Sequence, residues 1–202
     1  GTILPTPNEY RTASGAPGPK YWQQRADYDI KVELDEANLR LTGSETVTYY
    51  NNSPDVLTYL WLQLDENEHS SERNADYQDA STMGAQTSDL FIKRYENEKN
   101  DFGVNITKLT DALNKPLKYV VNKTMMRVDL PTPLKPGQKF IFKIDWNYAI
   151  PDRGVWGSRG GYELFPEDGN AVFTMSQFYP RLAVYSDFQG WQNTQFSGGA
   201  EF

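Results

Sequence analysis

Alternation of apolar and polar residues is the clearest pattern along the chain. From Tyr28 to Leu34 every second residue is apolar and those between are charged, which predicts a half-buried β-strand. A turn at 35–38 and a return strand over 39–50 predict an antiparallel hairpin, in which Gly43 breaks the spacing as a bulge would. The residues expected to point inward on the return strand are Leu39, Leu41, Val47 and Tyr49.

Further strands are predicted between turn signals. Residues 57–64 are apolar at almost every position, which is typical of a strand covered on both faces and central in its sheet. Residues 139–148 alternate most regularly of all. Shorter strands are predicted at 104–109, 117–121, 125–130 and 172–177. The polar stretch 65–86 predicts a long excursion with one short helix, residues 131–137 predict a turn, and residues 151–169 predict a loop.

Composition supports an all-β fold. Aromatic residues make up 14% of the 202 residues, and fifteen glycines and twelve prolines are spread along the chain. With 38% hydrophobic residues, a chain of this length can fold as one domain without disulfide bonds or a structural metal. The absence of cysteine excludes a disulfide framework, thiolate zinc sites and a cysteine nucleophile.

The net charge and the first twenty residues limit the kinds of partner and the location that are expected for the protein. The 27 acidic and 20 basic residues give a net charge of -7, which disfavours nucleic acid and anionic membrane surfaces as partners. No apolar run is long enough for a membrane span. Residues 1–20 are predicted to be a flexible N-terminal arm of the kind that follows a removed export signal, and residues 21–202 the β-domain. This arm indicates a periplasmic or extracellular location.

The sequence lacks most of the residues that the common hydrolytic sites require. A zinc hydrolase needs two or three imidazoles with a carboxylate, and a Ser-His-Asp triad needs a histidine base. The single histidine, His69, lies in a polar stretch and is predicted to be an exposed surface residue. The glycine-rich stretch 157–161 lacks the lysine and the following helix of a phosphate-binding loop. None of these three sites is therefore expected.

Two other chemistries stay open. A pair of carboxylates at a suitable separation hydrolyses glycosides, and three acids lie in an aromatic neighbourhood: Glu163, Glu167 and Asp168. Aromatic rings exposed in loops stack on sugars, and the candidates are Trp156, Tyr162 and Trp191. The alternatives are solvated loop positions for the acids and ordinary packing within a β-sandwich for the rings.

Three stretches, taken in order, resemble one known family. Residues 173–187 contain a Ser176-Gln177 pair at the end of a predicted strand, then an Arg181-to-Asp187 stretch, and Gly190-Trp191 follows. The hairpin at 28–49 and the strand at 60–67 are similar to that family's first strands and central strand. Together these motifs resemble the N-terminal β-domain of aminopeptidase N-like gluzincins, with the closest similarity to exported bacterial members. The resemblance runs from about residue 21 to residue 202.

The resemblance implies a twisted, saddle-like β-sandwich of mainly antiparallel strands, which is one domain of a zinc aminopeptidase. The family's Gly-x-Met-Glu-Asn and His-Glu-x-x-His motifs, which lie downstream in the family, are absent from this chain. The resemblance therefore implies a chain that holds no cofactor and no catalytic residue, is inactive alone, and belongs to a polypeptide whose zinc lies in a separate catalytic domain. It also implies a further strand after residue 202.

Two substrate-binding residues are implied by the same resemblance. In the family, the Gln of the Thr/Ser-Gln pair lines the first substrate pocket, and a Gln or Glu two residues later helps to bind the free amino terminus. The first position matches Gln177, while the second is Tyr179 and departs from the pattern. On a strand, Gln177 and Tyr179 would share one face and Phe178 would turn into the domain. The alternative for Gln177 is a strand-end residue hydrogen-bonded to backbone.

The partners implied are the catalytic domain of the same polypeptide, whose cleft this domain would roof, and a peptide substrate. An extracellular module that binds glycan or protein is the alternative function, and a two-carboxylate glycosidase is a third. A His-Glu-x-x-His motif encoded after residue 202 would distinguish the first reading from the other two.

Overall fold

The structure, a computed structural model, describes residues 6–70, 101–156 and 160–196. The predicted excursion at 65–86 lies within these ranges only up to residue 70, and residues 157–159 lie outside them. In chain order the elements are β1 (Arg25–Asp35), β2 (Arg40–Tyr50), β3 (Leu57–Gln63), a 3-10 helix (Asp65–His69), β4 (Asn105–Asp111), β5 (Tyr119–Asn122), β6 (Met125–Leu134), β7 (Lys139–Ala149), α1 (Arg153–Trp156), β8 (Gly161–Phe165), β9 (Asn170–Thr174), β10 (Arg181–Leu182), β11 (Tyr185–Ser186) and β12 (Gly190–Trp191). No helix in these ranges is long and apolar enough to cross a membrane.

Two four-stranded sheets build the domain. The strand order is β1-β2-β7-β4 in the first sheet and β10-β3-β6-β5 in the second. Two ribbons, β8-β9 and β11-β12, lie beside them, and all of these strands pair antiparallel. The predicted all-β sandwich of mainly antiparallel strands is confirmed.

Alternating side chains from both sheets meet in one hydrophobic core. On β7, Phe142, Ile144 and Trp146 are fully buried, as the regular pattern of this strand predicts. Leu60 and Leu62 of β3 enter the same core from the second sheet. Of the inward positions predicted on the second strand, 41, 47 and 49 are buried, whereas residue 39 lies in the turn with a positive φ of 50°.

Two strands are less covered than their patterns predict. β3 lies between β10 and β6 as expected, yet only one of its faces is buried, because Tyr59 on the other face is 38% exposed. On β1 the predicted inward residues Val32 and Leu34 are 51% and 39% exposed. The prediction that β3 is covered on both faces is therefore wrong, and the far end of β1 is open.

Gly43 has a packing role rather than the predicted bulge. The pairing of β2 with β1 and β7 is regular throughout, with Gly43 opposite Val32 on one side and Trp146 on the other. A Cβ at residue 43 would lie 2.3 Å from Cζ2 of Trp146. Glycine is required here because the indole occupies the space of a side chain.

The stretch predicted as a turn at 131–137 contains the end of a strand. β6 continues to Leu134, which pairs with Leu57, and only residues 135–137 form the turn to β7. Pro131 and Pro133 lie where β6 has no paired residue on β3 or β5. Proline is tolerated at such positions because no ladder hydrogen bond is lost.

The predicted loop at 151–169 is partly regular. It contains α1 and β8, and β8 pairs with β9 in register from Gly161 opposite Thr174 to Phe165 opposite Asn170. The strand predicted at 172–177 corresponds to β9, which begins earlier and ends at Thr174. The apolar runs between the glycines are too short to show a clear hydrophobic period, so the β8-β9 hairpin was not predicted from the sequence.

The described part of the N-terminal arm contacts the far end of the chain. Arg11 Nε lies 2.7 Å from Asp187 Oδ2. The guanidinium carbon of Arg11 lies 5.0 Å from the ring centroid of Tyr21 and 5.2 Å from that of Phe188. The pKa of Asp187 is lowered, chiefly by its hydrogen bond from Arg11. The flexibility of residues 1–20 stays a prediction.

We expect Gly43→Ala to destabilise the domain by about 1 to 3 kcal/mol, because the new methyl group overlaps the buried indole of Trp146. Urea unfolding followed by circular dichroism measures this change. Gly154→Ala is the matched control, since its Cβ would meet only the Asp152 carboxylate at 3.2 Å. Equal stability of the two variants would contradict the packing role.

Candidate substrate-binding segment

Residues 175–182, called here the anchored segment, connect β9 to the edge of the second sheet. The segment ends in β10, where Arg181 pairs with Gln63 of β3. Gln177 has a φ of 53°, in the left-handed region that residues other than glycine seldom adopt. The pair Ser176-Gln177 therefore lies beyond the strand end, and strand alternation does not decide which way Gln177 and Tyr179 face.

Two side chains of β7 hold the first half of the segment. The indole Nε1 of Trp146 donates a hydrogen bond of 3.1 Å to the carbonyl oxygen of Phe178. The Tyr148 hydroxyl donates to the Met175 sulfur at 3.7 Å. Both rings are buried in the core, so the first sheet fixes the segment on each side of Gln177.

Tyr28 of β1 contacts the segment twice. Its hydroxyl accepts a 2.9 Å hydrogen bond from the backbone N–H of Leu182, and its ring lies edge-to-face with Tyr179 at 5.4 Å. Tyr179 also packs edge-to-face against Phe178 at 5.2 Å, and both rings are half-buried. Burial raises the pKa of Tyr28 to about 12, so it remains a neutral phenol.

An ion pair fixes the end of the segment to the 3-10 helix. Arg181 donates from Nε at 3.0 Å and from Nη2 at 2.8 Å to Oδ2 of Asp65. Asp65 is buried and, within residues 6–70, 101–156 and 160–196, its other oxygen, Oδ1, has no hydrogen-bond partner. Burial raises the pKa of Asp65, and Arg181 offsets this effect only in part.

The 3-10 helix brings further polar residues beside the segment. Asn67 is fully buried and joins two loops, since it donates to Lys123 O and accepts from Val104 N, each at 2.7 Å. The Glu66 carboxylate reaches Gly160, where a Cβ would lie 3.4 Å from its Oε1 and 3.7 Å from Ser176 Oγ. Glu66 and Ser176 thus both lie close to Gly160. Glu66 was not identified as a candidate from the sequence.

His69 is buried, with 3% of its side chain exposed, and the prediction of a surface histidine is wrong. Its Nδ1 lies 3.2 Å from Glu66 and its Nε2 lies 3.3 Å from Glu68, and its ring is nearly perpendicular to that of Trp156, with the centroids 5.3 Å apart. These residues do not fit zinc, because one imidazole with two carboxylates lacks the second imidazole or thiolate ligand that the usual zinc sites contain. No metal-binding cluster of three or more histidine or acidic side chains occurs in the described ranges.

A second residue missed from the sequence is Glu45, on the inner face of β2. The side chain is 3% exposed, and neither carboxylate oxygen has a hydrogen-bond partner among the residues that the structure describes. Burial alone raises the pKa of Glu45 to about 8, so the group is mostly protonated at neutral pH. A signal was present in the sequence, since Glu45 is charged whereas the other inward residues of β2 are apolar or glycine.

The residues proposed for sugar chemistry are arranged differently from the expectation. Trp156 is buried, so its assignment as an exposed stacking ring is wrong. Tyr162 and Trp191 are both half-buried. Tyr162 packs against Phe173, and Trp191 packs against Tyr49 and Tyr185. The three candidate acids are exposed on the β8-β9 hairpin and its turn. Hydrogen bonds from Asn170 lower the pKa of Asp168, the opposite of what a general acid needs.

No family model matches the sequence, and no curated protein matches it significantly. Among solved structures, an M1 zinc metallopeptidase mutant from Deinococcus radiodurans bound to a Tyr-Ser-Ala substrate matches with a TM-score of 0.39 and 14% identity, over 64% of this chain and 21% of that chain. Another structure of a mutant of this enzyme matches with a TM-score of 0.41 and 15% identity, over 73% and 25%. The chain thus spans about a fifth to a quarter of the length of these two proteins.

The burial of Glu45 predicts a stability that depends on pH. Between its ordinary pKa of 4.5 and about 8, the folded protein keeps a proton that the unfolded chain has lost. The free energy of unfolding should therefore fall by about 1.4 kcal/mol per pH unit as pH rises through this window, with the full stability present below it. Glu45→Gln should remove this slope, so the variant exceeds wild type by a margin that grows towards pH 8.

Urea titrations at pH 5, 6.5 and 8 measure the effect. Glu33→Gln, which alters an exposed carboxylate of β1, is the control and should follow wild type. Parallel pH profiles for wild type and Glu45→Gln would show that this carboxyl is not held protonated.

Proposed function

We propose that this chain is the non-catalytic N-terminal domain of a zinc metallo-aminopeptidase, and that Gln177 and Tyr179 contribute to the pocket for the first residue of the peptide. The observation that carries the proposal is the positive φ of Gln177 within a segment held on both sides. Such a backbone costs about 1 to 3 kcal/mol and persists only where its surroundings determine it. Segments of this kind are common in ligand-binding sites.

Each side chain has chemistry suited to the role. The Gln177 amide offers both a donor and an acceptor, as recognition of a peptide end requires. Tyr179 supplies a hydroxyl and a ring face, and the latter attracts an ammonium ion in place of the carboxylate or amide usual in the family. Both residues lie in one short segment beside Glu66 and the 3-10 helix.

The remaining parts of the polypeptide would supply the reaction. The catalytic domain would hold the zinc ion and its ligands, and this domain would roof the cleft and dock on that partner. A periplasmic or extracellular location is part of the same proposal. The M1 structures described above are zinc metallopeptidases by name, and one was solved with a tripeptide substrate.

A binding module for glycan or protein is the second candidate, favoured by one groove. A cavity of about 470 Å³ lies between the start of β1 and the segment around β11 and is lined by Trp22, Tyr49 and Tyr185 among others. This size is typical of small-ligand sites. Glycan binding that is lost in Trp22→Ala would support this alternative.

The test uses the complete gene product that contains these residues, assayed with aminoacyl anilides. We expect Gln177→Ala to raise the activation free energy in kcat/KM by about 1 to 3 kcal/mol, because one substrate hydrogen bond is lost. Tyr179→Phe should weaken turnover in the same direction if the hydroxyl takes part. Thermal midpoints should change little in either variant.

Phe178→Ala is the contrasting variant, since its half-buried ring packs against Tyr179 and the core. It should lower the thermal midpoint more than either of the other changes. Two results would overturn the proposal: a complete gene product that cleaves no aminoacyl anilide with zinc present, or full activity in Gln177→Ala.

A further inference from the structure

Glu45 is a buried carboxyl group that nothing in the fold explains. In the described part of the chain both of its oxygens lack a hydrogen-bond partner, and the neighbouring inward residues of β2 are apolar or glycine. Native proteins rarely leave such a group unsatisfied, because its desolvation is not repaid. An unsatisfied group of this kind is often reserved for a ligand or a mechanistic step.

The position of Glu45 places it beneath the anchored segment. On β2 it lies midway between Gly43, against which Trp146 packs, and Val47, which is opposite Tyr28. Trp146 and Tyr28 are the two residues that hold the segment at Phe178 and Leu182. The chain from Phe178 to Leu182 therefore crosses between these anchors, over the part of β2 that carries Glu45.

The titratable groups around Glu45 do not provide a cationic partner for its carboxylate. Tyr28 of β1, and Tyr179 and Arg181 of the segment, are the titratable groups clustered here, and Glu45 acts electrostatically on Tyr28. Arg181 is the only one that is cationic, and it is bound to Asp65. In the described ranges, no hydrogen bond or ion pair of Glu45 with a cationic side chain exists.

Aromatic rings supply the rest of the surroundings. The fully buried Trp146 packs against Gly43, two positions before Glu45 on the same face of β2. The half-buried ring of Tyr28, on which Glu45 acts electrostatically, contacts Tyr179, and Tyr179 packs against Phe178. A carboxylate near aromatic faces is complementary to an organic cation that carries N–H donors, since it offers both ion pairing and cation–π attraction. A primary ammonium group has this chemistry.

We propose that Glu45 is the carboxyl group that binds a primary ammonium beneath the anchored segment. The half-buried rings of Phe178 and Tyr179 form the way in, and their displacement opens the carboxyl group to the ligand. Assignment of the ammonium to the amino terminus of a peptide rests on the proposed function, whereas a lysine side chain offers the same chemistry. On binding, the carboxyl ionises, its proton passes to the solvent, and the ammonium keeps its own protons.

The experiment is isothermal titration calorimetry of the 202-residue chain at pH 7, in two buffers of different ionisation enthalpy. The probes are L-leucinamide with an α-ammonium, Nα-acetyl-L-lysinamide with an ε-ammonium, and 4-methylpentanamide, which is leucinamide without its amine. We expect at least one ammonium probe to bind with release of about one proton, and the amine-free probe to bind at least tenfold more weakly.

Glu45→Gln should lower affinity for the ammonium probe at least tenfold and abolish proton release, while the exposed-carboxylate variant Glu33→Gln should match wild type. Near-ultraviolet circular dichroism checks that the variant is folded. Binding of leucinamide assigns the site to peptide termini, and binding of the lysinamide derivative alone assigns it to lysine side chains. Undiminished binding to Glu45→Gln, or no ammonium binding to wild type, would overturn the proposal.

These outcomes are separable from those of the proposed function. Loss of turnover in Gln177→Ala with no effect of Glu45→Gln on ammonium binding would leave the aminopeptidase role standing and remove only the Glu45 site. If Gln177→Ala instead kept full turnover while Glu45→Gln lost ammonium binding, the ammonium site would stand and the aminopeptidase role would be removed.

Discussion

The buried indole of Trp146 is the contact on which the candidate site depends. It lies on β7 opposite Gly43 of β2, fills the space that a side chain at residue 43 would take, and donates its single N–H to the carbonyl of Phe178. One ring thus joins the interior of the first sheet to a segment outside regular structure. Because the ring is fully enclosed, its N–H cannot turn to water, and the hydrogen bond defines where the segment lies.

The sequence predicted those parts of the fold that repeat with period two. The alternation over residues 139–148 needed only a buried face and a less covered one, and it was found where expected. The hairpin formed by β1 and β2 was found as well, although Val32 and Leu34 on β1 are exposed. The prediction for Gly43 failed because a missing side chain indicates a bulge or a close approach equally well. Only the position of Trp146 across the sheet distinguishes the two.

The site itself was only partly visible in the sequence. Gln177 was found through a resemblance, but its left-handed backbone follows from contacts with β1, β7 and the 3-10 helix that no local pattern encodes. His69 looked solvated because its sequence neighbours are polar, whereas Trp156 packs against it from far along the chain and is itself backed by Phe102. Glu45 could have been noticed, since a charged residue at an inward position contradicts the strand pattern around it.

The two-residue length of β10 has a consequence for how the domain folds. Its ladder with β3 is short, and the ion pair that supports it joins residues 116 positions apart in the chain. Loop-closure entropy makes such distant contacts form late, after the local hairpins are in place. The segment that carries Gln177 should accordingly be the last cooperative unit to close and the first to exchange its amide hydrogens, with both sheets still intact beneath it.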